Sequence, residues 1–202
     1  MKERGMIFNA EMVRAILDGR KTQTRRPIKW KQTRFTEMAE RDDGSLWPWA
    51  EDCERGGDIW FTCPFGEVGD RIWVRETWAE AGASAPDLKL YRANYPDHVP
   101  AHYENVPPAE EIRWTPSIHM PRWASRITLE ITDVRVERLN AISEEDAQAE
   151  GVQPACYEIT PPEAAYRVSF GEVWRGIYGE ESWAANPWVW VIKFKRVEGG
   201  AL

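Results

Sequence analysis

A basic segment at residues 19–26, GRKTQTRR, carries the side chains in this sequence that are best suited to chemistry. It holds four cations and two threonine hydroxyls directly after a predicted helix. Lysine acts as a base or activates a nucleophile when desolvation or neighbouring cations lower its pKa, and Lys21 has such neighbours. A turn would bring the Thr24 hydroxyl to the Lys21 amine, whereas an extended strand would place Lys21 on the same side as Gln23.

Positive charge continues beyond this segment. Residues 20–34 contain seven basic side chains, although the formal net charge of the chain is −7. A positive patch on an acidic protein attracts phosphate locally while the remaining surface repels non-specific nucleic acid. The segment is therefore predicted to contact RNA, DNA or a nucleoside, with a solvated basic loop as the alternative.

The composition is typical of a globular protein. The 202 residues suffice for one compact domain with long insertions or for two small domains, and 43% are hydrophobic and 29% charged. The twelve tryptophans are unusually many. A tryptophan side chain contributes a large buried area and also stacks on nucleobases. We expect some of them to line a groove, with a place in the core as the alternative for each.

The cysteines and histidines do not indicate a metal site. Cys53, Cys63 and Cys156 are an odd number without C-x-x-C spacing, which argues against a disulfide framework or structural zinc. His98 and His102 are four residues apart, but prolines nearby oppose a helix. No metal and no cofactor are expected. Because no apolar leader or long apolar run is present, the sequence predicts a soluble cytoplasmic protein without a membrane partner.

Three helices are predicted from caps and periodicity. Asn9 caps a helix with an apolar face at Met12, Val13, Ile16 and Leu17, and Gly19 ends it. A second helix begins after Ser143 with an acidic first turn and ends near residues 150–151. A third is amphipathic and runs to residue 179, with Thr160 in a capping box.

The strands are predicted at residues 71–75, 126–136 and 188–197, the last of them central in its sheet. Residues 37–57 are acidic and are predicted to form an irregular surface insertion, with a short strand at 59–61. Six prolines between residues 81 and 121 exclude long regular elements there. The order of elements favours a small mixed barrel over an alternating βαβ sheet.

On these motifs the chain resembles the ASCH domain family, whose small β-barrel is related to the PUA RNA-binding domain. The matching segments cover roughly half of the chain and are residues 16–22, 24–26, 69–74, 126–136, 143–151 and 188–197. The resemblance implies an α+β fold, in which residues 1–202 form a single PUA-like small mixed β-barrel with flanking helices. Two long insertions, at about 30–66 and 78–122, make it similar to phage- or prophage-type members.

The resemblance also implies an activity. Some small ASCH members are amidohydrolases that remove the acetyl group from N(4)-acetylcytidine with a Lys, a Thr and a Glu. These positions fall on Lys21, Thr24 and Glu150. Lys21 would accept the Thr24 proton, Thr24 would attack the acetyl carbonyl, and Glu150 would handle protons on the leaving amine. The three side chains are then expected to line one pocket, with Trp or Tyr from the second insertion on its rim.

Two other functions stay open at this point. The chain could be a non-catalytic RNA- or DNA-binding module, or a metal-independent nuclease, and Glu150 could be an ordinary surface residue of its helix. In each case the same residues are predicted to contact substrate or nucleic acid, namely Arg20, Arg25, Arg26, Lys29, Trp73, Arg75, Glu76, Arg122, Trp123 and Arg126.

Overall fold

A five-stranded sheet forms the centre of the fold. We describe it from a computed structural model that covers residues 1–30, 37–52, 54, 56–83, 85–103, 105–157 and 161–197. In spatial order the strands are β1 (Glu3–Ile7), β6 (Arg71–Arg75), β9 (Thr128–Arg138), β10 (Trp188–Arg196) and β2 (Gln23–Pro27). The three predicted strands are thus present, and β10 has a neighbour on each side as predicted.

The sheet is mostly antiparallel and is not closed. β1 pairs with β6 in parallel, and the other neighbouring pairs are antiparallel. Between the described residues, no strand pairing joins the outer edges of β1 and β2, so a closed barrel is not found. The fold class is α+β, with a strand-rich centre and flanking helices.

Side chains alternate along β10 and pack into cores on both faces of the sheet. Trp190 and Ile192 belong to the larger core, together with residues of β1, β6, β9 and α1 (Ala10–Leu17). Val189 and Val191 belong to a second core with residues of α2 (Glu144–Ala149) and α3 (Ala165–Tyr178). β10 is buried on both faces, which explains its nearly continuous apolar sequence.

The helix ends follow the predicted caps. The Asn9 side chain accepts a hydrogen bond from the Met12 amide, and the Ser143 hydroxyl accepts one from the Asp146 amide at 3.1 Å. Gly19, after α1, has a positive φ of 75°. α3 ends at Tyr178 and is followed by α4 (Glu180–Ala184). Thr160, predicted to cap α3, lies outside the described residues.

The prediction that residues 37–57 are irregular is wrong. β3 (Glu37–Glu40), β4 (Leu46–Glu51) and β5 (Asp58–Trp60) form an antiparallel sheet of their own. Aromatic packing outweighs the acidic composition here. The rings of Trp47 and Trp190 are 5.2 Å apart, and the Arg41 guanidinium lies 4.0 Å from the ring of Trp47 and 5.2 Å from that of Trp60. The Trp47–Trp190 contact fastens the small sheet to β10, and the Arg41 contacts hold the small sheet together.

In the described part of residues 78–122 the elements are short, as the prolines predict. β7 (Trp78–Glu80) pairs with β8 (Lys89–Tyr91), and three-residue 3₁₀ helices follow. Of the cysteines, Cys63 is buried and free, Cys156 is exposed and free, and Cys53 lies outside the described residues. In the described part of the chain, no helix combines the length and apolar character needed to cross a bilayer.

Candidate functional site

The basic segment is extended, which decides between the two arrangements left open for Lys21. Lys21, Gln23 and Arg25 all direct their side chains toward α2 and the residue that follows it. The Gln23 amide nitrogen donates to the Asp146 carbonyl at 2.9 Å, and Arg25 contacts the Asp146 carboxylate at 2.8 Å. Lys21 is therefore on the same side as Gln23, as expected for an extended strand.

Lys21 and Glu150 form a buried ion pair. The Lys21 Nζ donates to Oε2 of Glu150 at 2.9 Å and to the Glu150 carbonyl at 2.8 Å. The Lys21 side chain has no exposed surface, and that of Glu150 is 4% exposed. Burial lowers the pKa of Lys21, against the opposing effect of the Glu150 carboxylate. Glu150 is thus no ordinary surface residue of its helix.

Arg25 is enclosed by three carboxylates. Its guanidinium lies 2.9 Å from Glu137, 2.8 Å from Asp146 and 3.2 Å from Glu150, and its side chain has no exposed surface. Arg135 also binds Glu137 and Asp146, at 2.6 Å each. We name Lys21, Arg25, Arg135, Glu137, Asp146 and Glu150 the carboxylate network. The network corrects the prediction that Arg25 contacts nucleic acid, because a fully buried side chain cannot reach one.

Thr24 faces away from the network. Gln23 and Arg25 point toward α2, and successive side chains of a strand point to opposite faces. Thr24 pairs with Ile192, which belongs to the larger core on the other face, and is 2% exposed. No hydrogen bond joins Thr24 to Lys21. The structure brings Lys21 and Glu150 together but does not bring the Thr24 hydroxyl to them.

Gly151 sets the distance between α2 and the basic segment, and we expect Gly151→Ala to destabilise the protein strongly. A methyl group there would lie 2.7 Å from Cβ of Lys21 and 2.8 Å from Cβ of Ala15, at a φ of 86°. Gly19, with a φ of 75° and open surroundings, is the matched control. Gly19→Ala should cost about 1–2 kcal/mol from backbone strain. Gly151→Ala should cost about 1–3 kcal/mol more in urea unfolding, and equal costs would contradict the close approach.

The network makes stability depend on acid pH. Partial burial acts to raise the pKa of Asp146, but the hydrogen bond from Arg25 and the charges of Arg25 and Arg135 outweigh it and hold that pKa below its usual value. A carboxylate with a depressed folded-state pKa stabilises above its unfolded pKa, and this stability is lost as the pH falls through the folded pKa. The free energy of unfolding should therefore decrease as the pH is lowered below about 4. In Asp146→Asn this acid loss should be smaller, and an unchanged profile would contradict the assignment.

A second feature, the sheet-edge cleft, lies between the unpaired edges of β1 and β2. Its volume is about 930 Å³. Four cations line it, and no carboxylate does among the described residues. Its cationic side chains are Arg4, Arg26, Lys29 and Arg75, and its aromatic ones are Trp30, Trp60, Phe61, Phe65, Tyr178 and Trp190.

Arg26 joins the two edges of the sheet at this cleft. Its Nη2 donates to the Ile7 carbonyl of β1 at 2.7 Å, and its guanidinium lies 5.4 Å from the centre of the Phe8 ring. Its Nη1 is 3.4 Å from the Tyr178 hydroxyl, and its buried Nε has no partner in the described structure. Arg25 and Arg26 are adjacent in sequence, but their side chains project from opposite faces of β2.

The cleft gathers only part of the predicted binding residues. Arg26, Lys29 and Arg75 line it. Trp73 does not line it, but its ring packs against Gly5, where a methyl group would lie 2.6 Å from Cζ2 of Trp73. Arg75 also contacts the carbonyls of Ser117 and Ile118.

The other predicted residues lie elsewhere. Glu76 is 2% exposed and binds Arg126 through two hydrogen bonds of 2.9 and 3.0 Å, which corrects the prediction that Glu76 contacts a ligand. Arg126 also lies 4.0 Å from the Tyr91 ring, so this pair fastens the second predicted insertion to the sheet. Arg122 pairs with Glu3 at 2.9 Å, and the exposed Trp123 packs on Trp78. Neither Arg122 nor Trp123 lines the cleft.

Sequence reasoning missed one wall of the cleft because it missed β1. Residues 3–7, ERGMI, show no clean alternation, and their strand is specified by parallel pairing with β6, a distant contact. Arg4 is therefore not among the residues predicted to contact a ligand. The abundance of tryptophan was a usable signal, since Trp30 and Trp60 both line the cleft.

Another cavity, of about 390 Å³, lies beside the carboxylate network, and we name it the α2 cavity. Glu150 lines it together with Arg14, Arg20, Phe170 and Glu172, whereas Lys21 and Thr24 do not. The expected single pocket containing Lys21, Thr24 and Glu150 is thus not present in the described structure. Arg20 is exposed and donates to the Gly151 carbonyl at 2.6 Å.

Among the described residues, no group of three or more His, Cys, Asp or Glu side chains is arranged to hold a metal ion. Comparison with known proteins gave no matching family model, no similar curated protein and no similar solved structure.

Proposed function

We propose that this protein binds nucleic acid or a nucleotide in the sheet-edge cleft. One observation carries the proposal: a cleft lined by four cations and six aromatic side chains, without a carboxylate among its described lining residues, in a chain of net charge −7. Arginine and lysine bind phosphate, and aromatic rings stack on bases. An acidic protein that concentrates cations beside aromatic rings is suited to a ligand with both groups.

The size and shape of the cleft support the same ligand class. Its volume of about 930 Å³ lies within the range of pockets that enclose small organic ligands. Arg26 and Lys29 stand on the β2 side and Arg4 on the β1 side, so phosphates could be held at either edge. The resemblance of the sequence motifs to the ASCH family, whose fold is PUA-like, also supports the proposal of a nucleic-acid ligand.

Binding can be tested with a fluorescein-labelled single-stranded oligonucleotide. We expect fluorescence anisotropy to show that log Kd rises linearly with the logarithm of the salt concentration. The reason is that protein cations that neutralise phosphates release the counterions bound to them. Several phosphate contacts would give a slope of several units. Absence of binding at low salt, with the protein folded by circular dichroism, would contradict the proposal.

Amide hydrolysis at the α2 cavity is a second candidate function. The observation that favours it is the buried Lys21–Glu150 pair, in which burial lowers the pKa of Lys21 and Glu150 lines a cavity. A carboxylate beside a lysine of lowered pKa can move protons during hydrolysis of an amide such as N(4)-acetylcytidine. Thr24 lies on the other face of β2, so a water molecule is the more suitable nucleophile.

Hydrolysis is tested by incubating the protein with N(4)-acetylcytidine and separating the products by chromatography. If the α2 cavity hydrolyses the amide, cytidine should form, and Glu150→Gln should slow turnover more than it weakens binding. Thr24→Ala should keep its activity, since its hydroxyl is remote from Glu150. Loss of activity in Thr24→Ala with the fold intact would instead support Thr24 as the nucleophile. No cytidine between about pH 6 and 9 would exclude this substrate.

A further inference from the structure

The outer edge of β1 presents main-chain groups to the sheet-edge cleft. The Phe8 amide donates to the Arg75 carbonyl of β6 at 3.1 Å. In a parallel ladder, alternate residues turn their N–H and C=O groups toward the partner strand. Met6 therefore faces β6, whereas Gly5 and Ile7 turn their main-chain groups to the open edge, and all three residues line the cleft.

Arg26 occupies part of this edge. Its Nη2 binds the Ile7 carbonyl at 2.7 Å, which agrees with the direction inferred for Ile7. The outward groups that remain along this stretch are the N–H and C=O of Gly5 and the N–H of Ile7. The open edge is thus a short site with one adjacent donor and acceptor at Gly5.

Gly5 is suited to contact a ligand with its main chain. Any side chain there would collide with the Trp73 ring, 2.6 Å from the nearest carbon, and with Cδ of Arg75 at 2.9 Å. Glycine is exposed at this position and leaves the backbone accessible from the cleft. A glycine in a strand is typical of a place where a ligand or another backbone approaches closely.

We infer that the Gly5 main chain reads the Watson–Crick edge of an unpaired nucleobase in the cleft. The inference rests on the proposed function and deepens it. Each base carries a hydrogen-bond donor beside an acceptor on that edge, which matches the N–H and C=O of one extended residue. The cleft's aromatic side chains, such as Trp30 and Trp60, supply stacking, and its cations supply phosphate contacts. A paired base cannot use this site, so the ligand is a single strand or a free nucleotide.

The same geometry disfavours an extended peptide. A peptide that adds to a sheet edge forms a ladder with successive outward residues of the edge strand. Here the Ile7 carbonyl is already bound by Arg26, and the Arg26 side chain spans the gap between β2 and the edge of β1. Between Gly5 and Ile7, one outward C=O and two outward N–H groups remain, and this short set suits one base better than the continuous ladder of an added strand.

The first test compares single-stranded oligonucleotides. The ligand is whichever of the four homo-oligonucleotides binds most tightly. Its affinity is compared with that of the same sequence methylated on the Watson–Crick edge, at N1 of a purine or N3 of a pyrimidine. It is also compared with the affinity of the corresponding duplex. We expect the methylated strand and the duplex to bind at least about tenfold more weakly, because a hydrogen bond is lost and its partner stays unpaired. Competition by the corresponding nucleoside 5′-monophosphate distinguishes a free nucleotide from a strand as the source of the base.

The second test follows amide hydrogen exchange in the complex. Exchange at Gly5 should slow on ligand binding, whereas Met6, whose amide faces β6, is the internal control and should change little. Equal affinity for methylated and unmethylated strands, with unchanged exchange at Gly5, would overturn the inference while nucleic-acid binding itself persists. Absence of any binding would overturn the proposed function as well, so the two failures are distinguishable.

Discussion

Arg25→Met is expected to lower the free energy of unfolding by about 3–5 kcal/mol. The guanidinium is fully buried and contacts the carboxylates of Glu137, Asp146 and Glu150 at 2.8–3.2 Å. Removing it leaves the three carboxylates with one cation fewer, since Glu150 keeps only Lys21, and Glu137 and Asp146 keep only Arg135. The excess negative charge in this largely buried cluster is the source of the cost. Met fills a similar volume, so lost packing contributes little. Equilibrium unfolding in urea measures the change.

Arg122→Met is the matched control for this substitution. Arg122 pairs with Glu3 at the surface, where the two side chains are 41% and 37% exposed. An exposed ion pair contributes about 0–1 kcal/mol, so this variant should stay close to the wild type. If the two variants lost similar stability, the carboxylate network would not hold α2 to the basic segment as described.

The double variant Arg4→Glu/Lys29→Glu is expected to weaken oligonucleotide binding by roughly 100-fold or more. Each charge-assisted contact contributes about 1.5–3 kcal/mol, and about 1.4 kcal/mol is a factor of ten. The slope of log Kd against log salt should also fall by about two units. Both side chains are exposed and line the cleft, and Arg4 also donates to the Pro64 carbonyl. Arg26 is left in place because it links β2 to the Ile7 carbonyl of β1.

Lys193→Glu/Arg196→Glu controls for net charge. It changes the charge of the protein by the same amount, but both positions are exposed on β10 and outside the cleft. Its affinity should fall far less than that of the cleft variant. Equal losses in the two variants would mean that overall charge, and not the cleft, governs binding.

Local signals made several elements predictable. Asn9 and Ser143 mark helix starts because their side chains accept hydrogen bonds from amides of the first turn. The alternation of β9 and the apolar run of β10 identified the two long strands. By contrast, β1 depends on pairing with a strand some seventy residues away, and β3–β5 depend on tryptophan packing against β10. Such distant contacts leave no periodic trace in a short segment.

The candidate site was predictable in part for the same reason. The proximity of Lys21 and Glu150 was expected from the family resemblance, and the structure pairs them. Strand alternation explains why the Arg25 side chain is in the carboxylate network and the Arg26 side chain is in the cleft. It could be applied only once residues 23–27 were known to be extended. The cleft required the positions of β1, β2 and the small sheet together, which no single motif encodes.

Photo-crosslinking tests most directly whether the sheet-edge cleft is the nucleic-acid site. A single-stranded oligonucleotide with 5-iodouracil forms bonds to neighbouring aromatic side chains on irradiation, and mass spectrometry identifies the residues. We predict crosslinks at Trp30, Trp60 or Phe65, all of which line the cleft. Crosslinks confined to aromatic residues outside it, such as the exposed Trp123 or Tyr157, would contradict the proposed site.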